Sequence, residues 1–147
     1  MHRTSETRIL PYTPEQLFGL VLDIEKYPEF LPWCRGARIV ERTGDGFIGE
    51  LVVSFAHVTE RYRSRVRPMP PGDDPAHRIE VSLVEGPFTQ LTNHWRFAPH
   101  GDGTEVYFEV AFQFKSKLLD RLIGGMFTRA SEKMISAFTA RAEALYG

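Results

Sequence analysis

The chain has 147 residues, with 18 Lys plus Arg against 19 Asp plus Glu and a formal net charge of −1. That length suits one domain, residues 1–147, burying roughly 70% of the surface its unfolded form exposes, and the even charge leaves no global field to draw it to nucleic acid, so DNA is not an expected partner. The single cysteine, Cys34, excludes an internal disulfide framework and a cysteine-built zinc site, and the lack of an apolar leader or of a window near 18 apolar residues leaves a cytoplasmic protein that at most lies peripherally on an inner membrane.

Residues 2–10 read as a polar edge strand. Thr13-Pro14-Glu15-Gln16 then gives a helix start, with Thr13 at the N-cap, Pro14 in the first turn and Gln16 able to reach back in a capping box. The helix continues through Leu17, Phe18, Val21 and Leu22, a stripe that needs an apolar partner. Next comes Tyr27-Pro28-Glu29-Phe30-Leu31-Pro32-Trp33-Cys34, half large and apolar yet broken twice by proline. Each proline removes a backbone donor and biases the residue before it away from the helical region, so this run predicts a compact, fixed corner. Tyr27, Phe30, Leu31 and Trp33 would be a rigid apolar wedge on it, either gating a cavity mouth or packing the core.

After the corner the pattern turns to period two, as in Phe47-Gly49-Leu51-Val53-Phe55 and Phe108-Val110-Phe112-Phe114. Strands are expected near 35–43, 47–57, 58–67, 78–86, 89–98 and 104–115, with positive-φ hairpin turns at Gly44-Asp45-Gly46 and Gly101-Asp102-Gly103 and a loop over 68–75. From Ser116 to Tyr146 the period is helical, predicting one helix of about 45 Å with a kink at Gly124-Gly125. Such a helix must lay its stripe over the sheet's concave face, because nothing else in the chain can cover it. The expectation is therefore an α+β fold in which a curved antiparallel sheet of six to seven strands is crossed by a long C-terminal helix. Eleven Phe and two Trp exceed what simple closure needs, which suggests a cavity wall.

This order of elements is similar to that of the helix-grip fold of START domains and the birch-pollen-allergen superfamily. Three stretches resemble the coenzyme Q-binding START family, which also contains the bacterial ribosome association toxin. They are Asp23-Ile24-Glu25-Lys26-Tyr27-Pro28-Glu29-Phe30-Leu31-Pro32-Trp33-Cys34, Ser54-Phe55-Ala56-His57-Val58-Thr59-Glu60-Arg61-Tyr62-Arg63-Ser64-Arg65-Val66 and Gly86-Pro87-Phe88-Thr89-Gln90-Leu91-Thr92-Asn93-His94-Trp95-Arg96-Phe97. The resemblance implies a non-catalytic protein, without a catalytic cofactor, that binds ubiquinone or a similar isoprenoid lipid in a tunnel between sheet and helix and supports respiratory electron transfer. Ribosome binding, with a ribosomal subunit as partner, is the alternative that the same resemblance carries.

Along Val58 to Arg67, the even positions Glu60, Tyr62 and Ser64 share a face with Val58 and Val66, which makes that face the better candidate for the inside. These polar groups must find partners inside, either a quinone headgroup, whose oxygens accept from hydroxyls, or one another, Asn93 and water. With the wedge, the expected pocket takes Phe55, Trp95 and Phe112 from the strands and Ile123, Phe127, Met134 and Phe138 from the helix. Leu118, Leu122 and Met126 near the kink are candidates for a lid or a membrane-touching patch.

The opposite face carries Arg61, Arg63, Arg65 and Arg67, a stripe suited to phosphates of a lipid or of ribosomal RNA, or else a solvated face balanced by Glu50, Glu80 or Glu85. The five histidines are scattered, with no pairing suited to a metal, and no nucleophile elbow, phosphate loop or dinucleotide fingerprint occurs. Cys34 reads as inert packing. Some relatives of this fold are cyclases that use pocket acids, which leaves Glu60 as the one acid-base candidate.

Overall fold

The computed structural model describes residues 1–55 and 57–147, apart from the side chains of Phe127 and Thr128. The chain runs β1 (His2–Leu10), α1 (Pro14–Leu22), a 3₁₀ turn (Ile24–Glu29), β2 (Cys34–Thr43), β3 (Gly46–Phe55), β4 (Val58–Met69), β5 (His77–Glu85), β6 (Phe88–His100), β7 (Gly103–Phe114), α2 (Lys117–Gly124) and α3 (Phe127–Tyr146). The seven strands form one antiparallel sheet in the order β1-β7-β6-β5-β4-β3-β2. Consecutive strands from β2 to β7 pair with their neighbours through short connections, and β1 closes the far edge against β7. This is the expected α+β, helix-grip arrangement, with the curved sheet gripping its C-terminal helices.

Thr13 caps α1 as its spacing requires, with the Gln16 amide N–H donating to its hydroxyl at 3.1 Å and the Gln16 side chain accepting from Thr13 N at 3.0 Å. Leu17, Leu20 and Val21 are buried on its inner face. The proline-broken run is indeed a corner. Its 3₁₀ turn contains Pro28, Leu31 N donates to Tyr27 O at 2.9 Å, and Ser54 N donates to Trp33 O at 2.8 Å, which ties the corner to β3. The Tyr27 hydroxyl donates to the Val21 carbonyl, locking the ring against α1.

Three expectations need correction. The C-terminal helix is two helices, an eight-residue α2 and a twenty-residue α3, separated at Gly125 and Met126. Two adjacent glycines cost roughly 1 kcal/mol each in helix propensity, and Gly124 lies so close to the His2 ring that a Cβ there would sit 2.6 Å from it. The hairpin turns stand where expected, but only Gly101 among those glycines has positive φ (57°). At Gly46 the demand is for space, because a Cβ would meet the Val66 carbonyl oxygen. Finally, β4 runs on through Met69, so the loop after it begins later than the prolines suggest.

The apolar interior has two parts. The larger, including Leu17, Val21, Ile24, Trp95, Phe97, Phe108, Ile135 and Phe138, lies between the sheet, α1 and α3. The smaller centres on Phe88, Phe112 and Ile123 beneath α2. Among the described residues, no helix is long and apolar enough to cross a membrane.

Candidate functional site

Period-two alternation on β3 to β7 sends one set of side chains to the concave face, where α2 and α3 arch over them. They do not fill the space. A cavity of about 250 Å³ remains, walled by residues of both interior clusters. Its floor comes from the strands, with Leu51, Val53 and Phe55 on β3, then Trp95 on β6 and Phe108 and Phe112 on β7. The corner supplies one end wall through Tyr27, Leu31, Trp33 and Cys34, and the roof is Leu119, Ile123, Met126, Ala130, Ser131, Met134 and Phe138.

Glu60, Tyr62 and Ser64 all line this cavity, as their even spacing on β4 predicts. Register sets them opposite Val53, Leu51 and Gly49 of β3, and the space a Cβ would take at Gly49 is filled by the tip of the Ile24 side chain. Burial, with a lesser push from the nearby Cys34 thiol, holds the Tyr62 hydroxyl far above its usual ionisation range, which keeps it a neutral donor. Ser131, on the inner face of α3, adds a further hydroxyl. None of these four side chains has a hydrogen-bond partner among the described residues.

Asn93 and Trp95 behave differently. Asn93 Nδ2 donates to Glu109 O at 2.8 Å while its Oδ1 accepts from Trp95 Nε1 at 3.0 Å, so both line the cavity with their polar groups already satisfied. Cys34 donates through Sγ to Gly36 O at 3.4 Å, and burial pushes its thiol up. That is the setting of a packing cysteine.

Of the wedge, Tyr27, Leu31 and Trp33 line the cavity but Phe30 does not. Its ring packs edge-on against Phe138 at 5.3 Å and lies 5.2 Å under the Arg141 guanidinium, so it supports a lining residue from outside. Phe55, Phe112, Ile123, Met134 and Phe138 are at the wall as expected, while the Phe127 side chain lies outside the described residues. Sequence reasoning missed Ser131. Its signal was a small polar residue inside the helix's apolar stripe, three positions before Met134.

The arginine face is largely neutralised. Glu50, on β3 and almost fully buried, accepts from Arg38 Nε at 3.0 Å and from Arg63 Nε at 2.9 Å, with Arg61 3.8 Å away. Those two guanidinium hydrogen bonds hold its carboxyl at about 2, well below the ordinary 4.5. Arg67 pairs with Glu80 at 3.0 Å and Arg63 also approaches Glu85 at 3.6 Å. Arg65, opposite Ile48 and Ser82, has no ion pair among the described residues.

Residues 10–139 match the family described as polyketide cyclase / dehydrase and lipid transport. The chain is 46% identical over 137 residues to the ribosome association toxin RatA of Rickettsia prowazekii, covering 93% of each chain. It is 31% identical to the coenzyme Q-binding protein COQ10 homolog B, mitochondrial, of Xenopus laevis, over 97% of this chain and 59% of that one. The fold is shared with a START superfamily protein from Mycobacterium smegmatis, with a TM-score of 0.82, 99% of each chain covered and 23% identity.

Proposed function

Because this chain belongs to the polyketide cyclase / dehydrase and lipid transport family, we propose that it is a non-catalytic carrier that takes the headgroup of ubiquinone, or of a similar isoprenoid quinone, into the cavity beneath α2 and α3. It works in the cytoplasm, meets the inner membrane peripherally and supports respiratory electron transport. The observation that carries this reading is an apolar cavity of about 250 Å³ into which Glu60, Tyr62, Ser64 and Ser131 direct polar groups that have no partners among the described residues. Quinone oxygens accept hydrogen bonds, and the hydroxyls of Tyr62, Ser64 and Ser131 are donors. Sites for small molecules combine apolar walls with a few placed polar groups, at roughly 300–1,000 Å³. A volume just under that range suits a substituted ring and the first carbons of its tail, with burial of apolar area as the driving force at about 25 cal/mol per Å². The name of the Xenopus relative supports the same ligand.

Protein purified from a quinone-producing host should yield ubiquinone on solvent extraction and mass analysis. Emptied protein should recover it from vesicles. If neither preparation carries quinone, the reading fails.

A second reading, association with a ribosomal subunit, is favoured by the name of the Rickettsia relative. It predicts co-sedimentation with subunits that weakens steeply as salt rises and on changing Arg61, Arg63 and Arg65 to Glu. With Glu50 occupying Arg61 and Arg63, Arg65 is the residue of the three best placed to meet a phosphate. A third, cyclase-like reading predicts turnover that is lost in Glu60→Gln with the fold intact.

A further inference from the structure

One short helix carries both a wall of the cavity and the most exposed apolar side chain of the described residues. The inner face of α2 presents Leu119 and Ile123 to the cavity. Its only acid, Asp120, also turns inward, where its Oδ1 accepts from Phe114 N at 3.0 Å and meets His2 Nε2 at 3.0 Å. The outer face has Leu118 and Leu122, continued at the same interval of four by Met126 in the break just past the helix, and the three are 76%, 46% and 42% exposed. Between and beside them stand Lys115, Lys117 and Arg121, all exposed and without an ion pair among the described residues. Met126 belongs to both surfaces, because it lines the cavity while remaining exposed.

We infer that this outer face docks on an anionic lipid bilayer, with α2 lying in the interface and the cavity opening toward the hydrocarbon beside Met126. The inference rests on the lipid-carrier reading and adds where the membrane is met. Leucines interleaved with cations, and the acid turned away, match an interfacial helix that buries its apolar stripe among acyl chains and sets its charges among phosphates. Eight residues are too few to span. The chain as a whole carries −1, so positive charge gathered on this one face is a local feature with a local partner. A second copy of the chain fits poorly, since a two-fold contact would bring Lys115, Lys117 and Arg121 toward their own equivalents. The position also gives a tail too long for the cavity a route out, at the α2–α3 break and directly into lipid.

The test is flotation of the intact protein with vesicles of phosphatidylcholine alone and of phosphatidylcholine mixed with phosphatidylglycerol. The wild type should float with the mixed vesicles only. Lys115→Gln, Lys117→Gln and Arg121→Gln together should weaken binding roughly a hundredfold, at roughly fivefold per charge, and Leu118→Ser with Leu122→Ser should abolish it. These positions are exposed, so melting temperatures should not move. In parallel, quenching of Trp33 and Trp95 by a short-tailed ubiquinone in vesicle-free buffer should be the same in all three proteins. Absence of wild-type flotation, flotation that survives both variants, or dimerisation relieved by the leucine changes would overturn the docking surface. Quenching lost with flotation kept would remove the quinone reading and leave the surface standing.

Discussion

Tyr62 and Ser64 are two residues apart on one strand and face the same empty space, and neither has a protein partner among the described residues. A buried hydroxyl without a partner is a cost unless something accepts from it. Tyr62→Phe removes the donor and keeps the ring's edge-on contact with Phe88 at 5.3 Å. It should weaken a short-tailed quinone about two- to tenfold, the worth of one hydrogen bond, and raise rather than lower the melting temperature of the empty protein, because an unpartnered hydroxyl is removed. Isothermal titration measures the first and a thermal scan the second. Glu50 gives a different readout. Its folded ionisation is depressed to about 2 from 4.5, so its contribution to stability is present above the unfolded value and is lost as pH falls through the folded one. Melting temperature should therefore decline from about pH 5 toward pH 2, and Glu50→Gln should flatten that decline without cancelling it, because Asp74 and Asp120 are depressed too. At this scale the inward face of β4 was legible because alternation is a geometric necessity of a strand. The direction of Phe30 was not, since two prolines in five residues reset the backbone and adjacency no longer says which way a ring points.

The break between α2 and α3 is where the elements depart most from what their sequence implies. Gly125 has φ of −71°, and a Cβ there would have no atom nearer than 4.0 Å, so alanine is compatible with the site. Gly125→Ala should raise stability by about 0.4–1 kcal/mol through the unfolded chain. Gly124→Ala should gain nothing comparable, because its methyl meets the His2 ring at 2.6 Å and must displace the residue that holds Asp120. Chemical denaturation of the two variants checks the contrast. Apolar periodicity runs unbroken across both helices, so the pattern implied one helix kinked at Gly124-Gly125 rather than two separate helices. What it lacked was the tertiary contact of His2 on Gly124, a residue more than a hundred positions away. The remaining elements were readable from local chemistry, with the Thr13 capping box, the prolines of the corner and the Gly-Asp-Gly turns each marking a boundary.

For the whole molecule, the order of elements and three sequence stretches pointed to a curved sheet gripping C-terminal helices, and the seven-stranded antiparallel sheet follows that plan. The abundance of Phe suggested a cavity, but its size was beyond the sequence, because it is the small difference between a large enclosed volume and the side chains that nearly fill it. At about 250 Å³ it is far larger than the voids of an ordinary core. Such space should be costly when empty, so occupation by a ligand should stabilise the fold by mass action.

The most direct test is a titration of emptied protein with short-tailed ubiquinone, run beside Ala130→Phe, which places a ring in the roof of the cavity. The wild type should bind one equivalent and melt at a higher temperature when loaded, while the filled variant should bind none and melt no lower than the empty wild type. No uptake by the wild type, or equal uptake by a folded Ala130→Phe, would contradict a ligand-binding cavity beneath the helices.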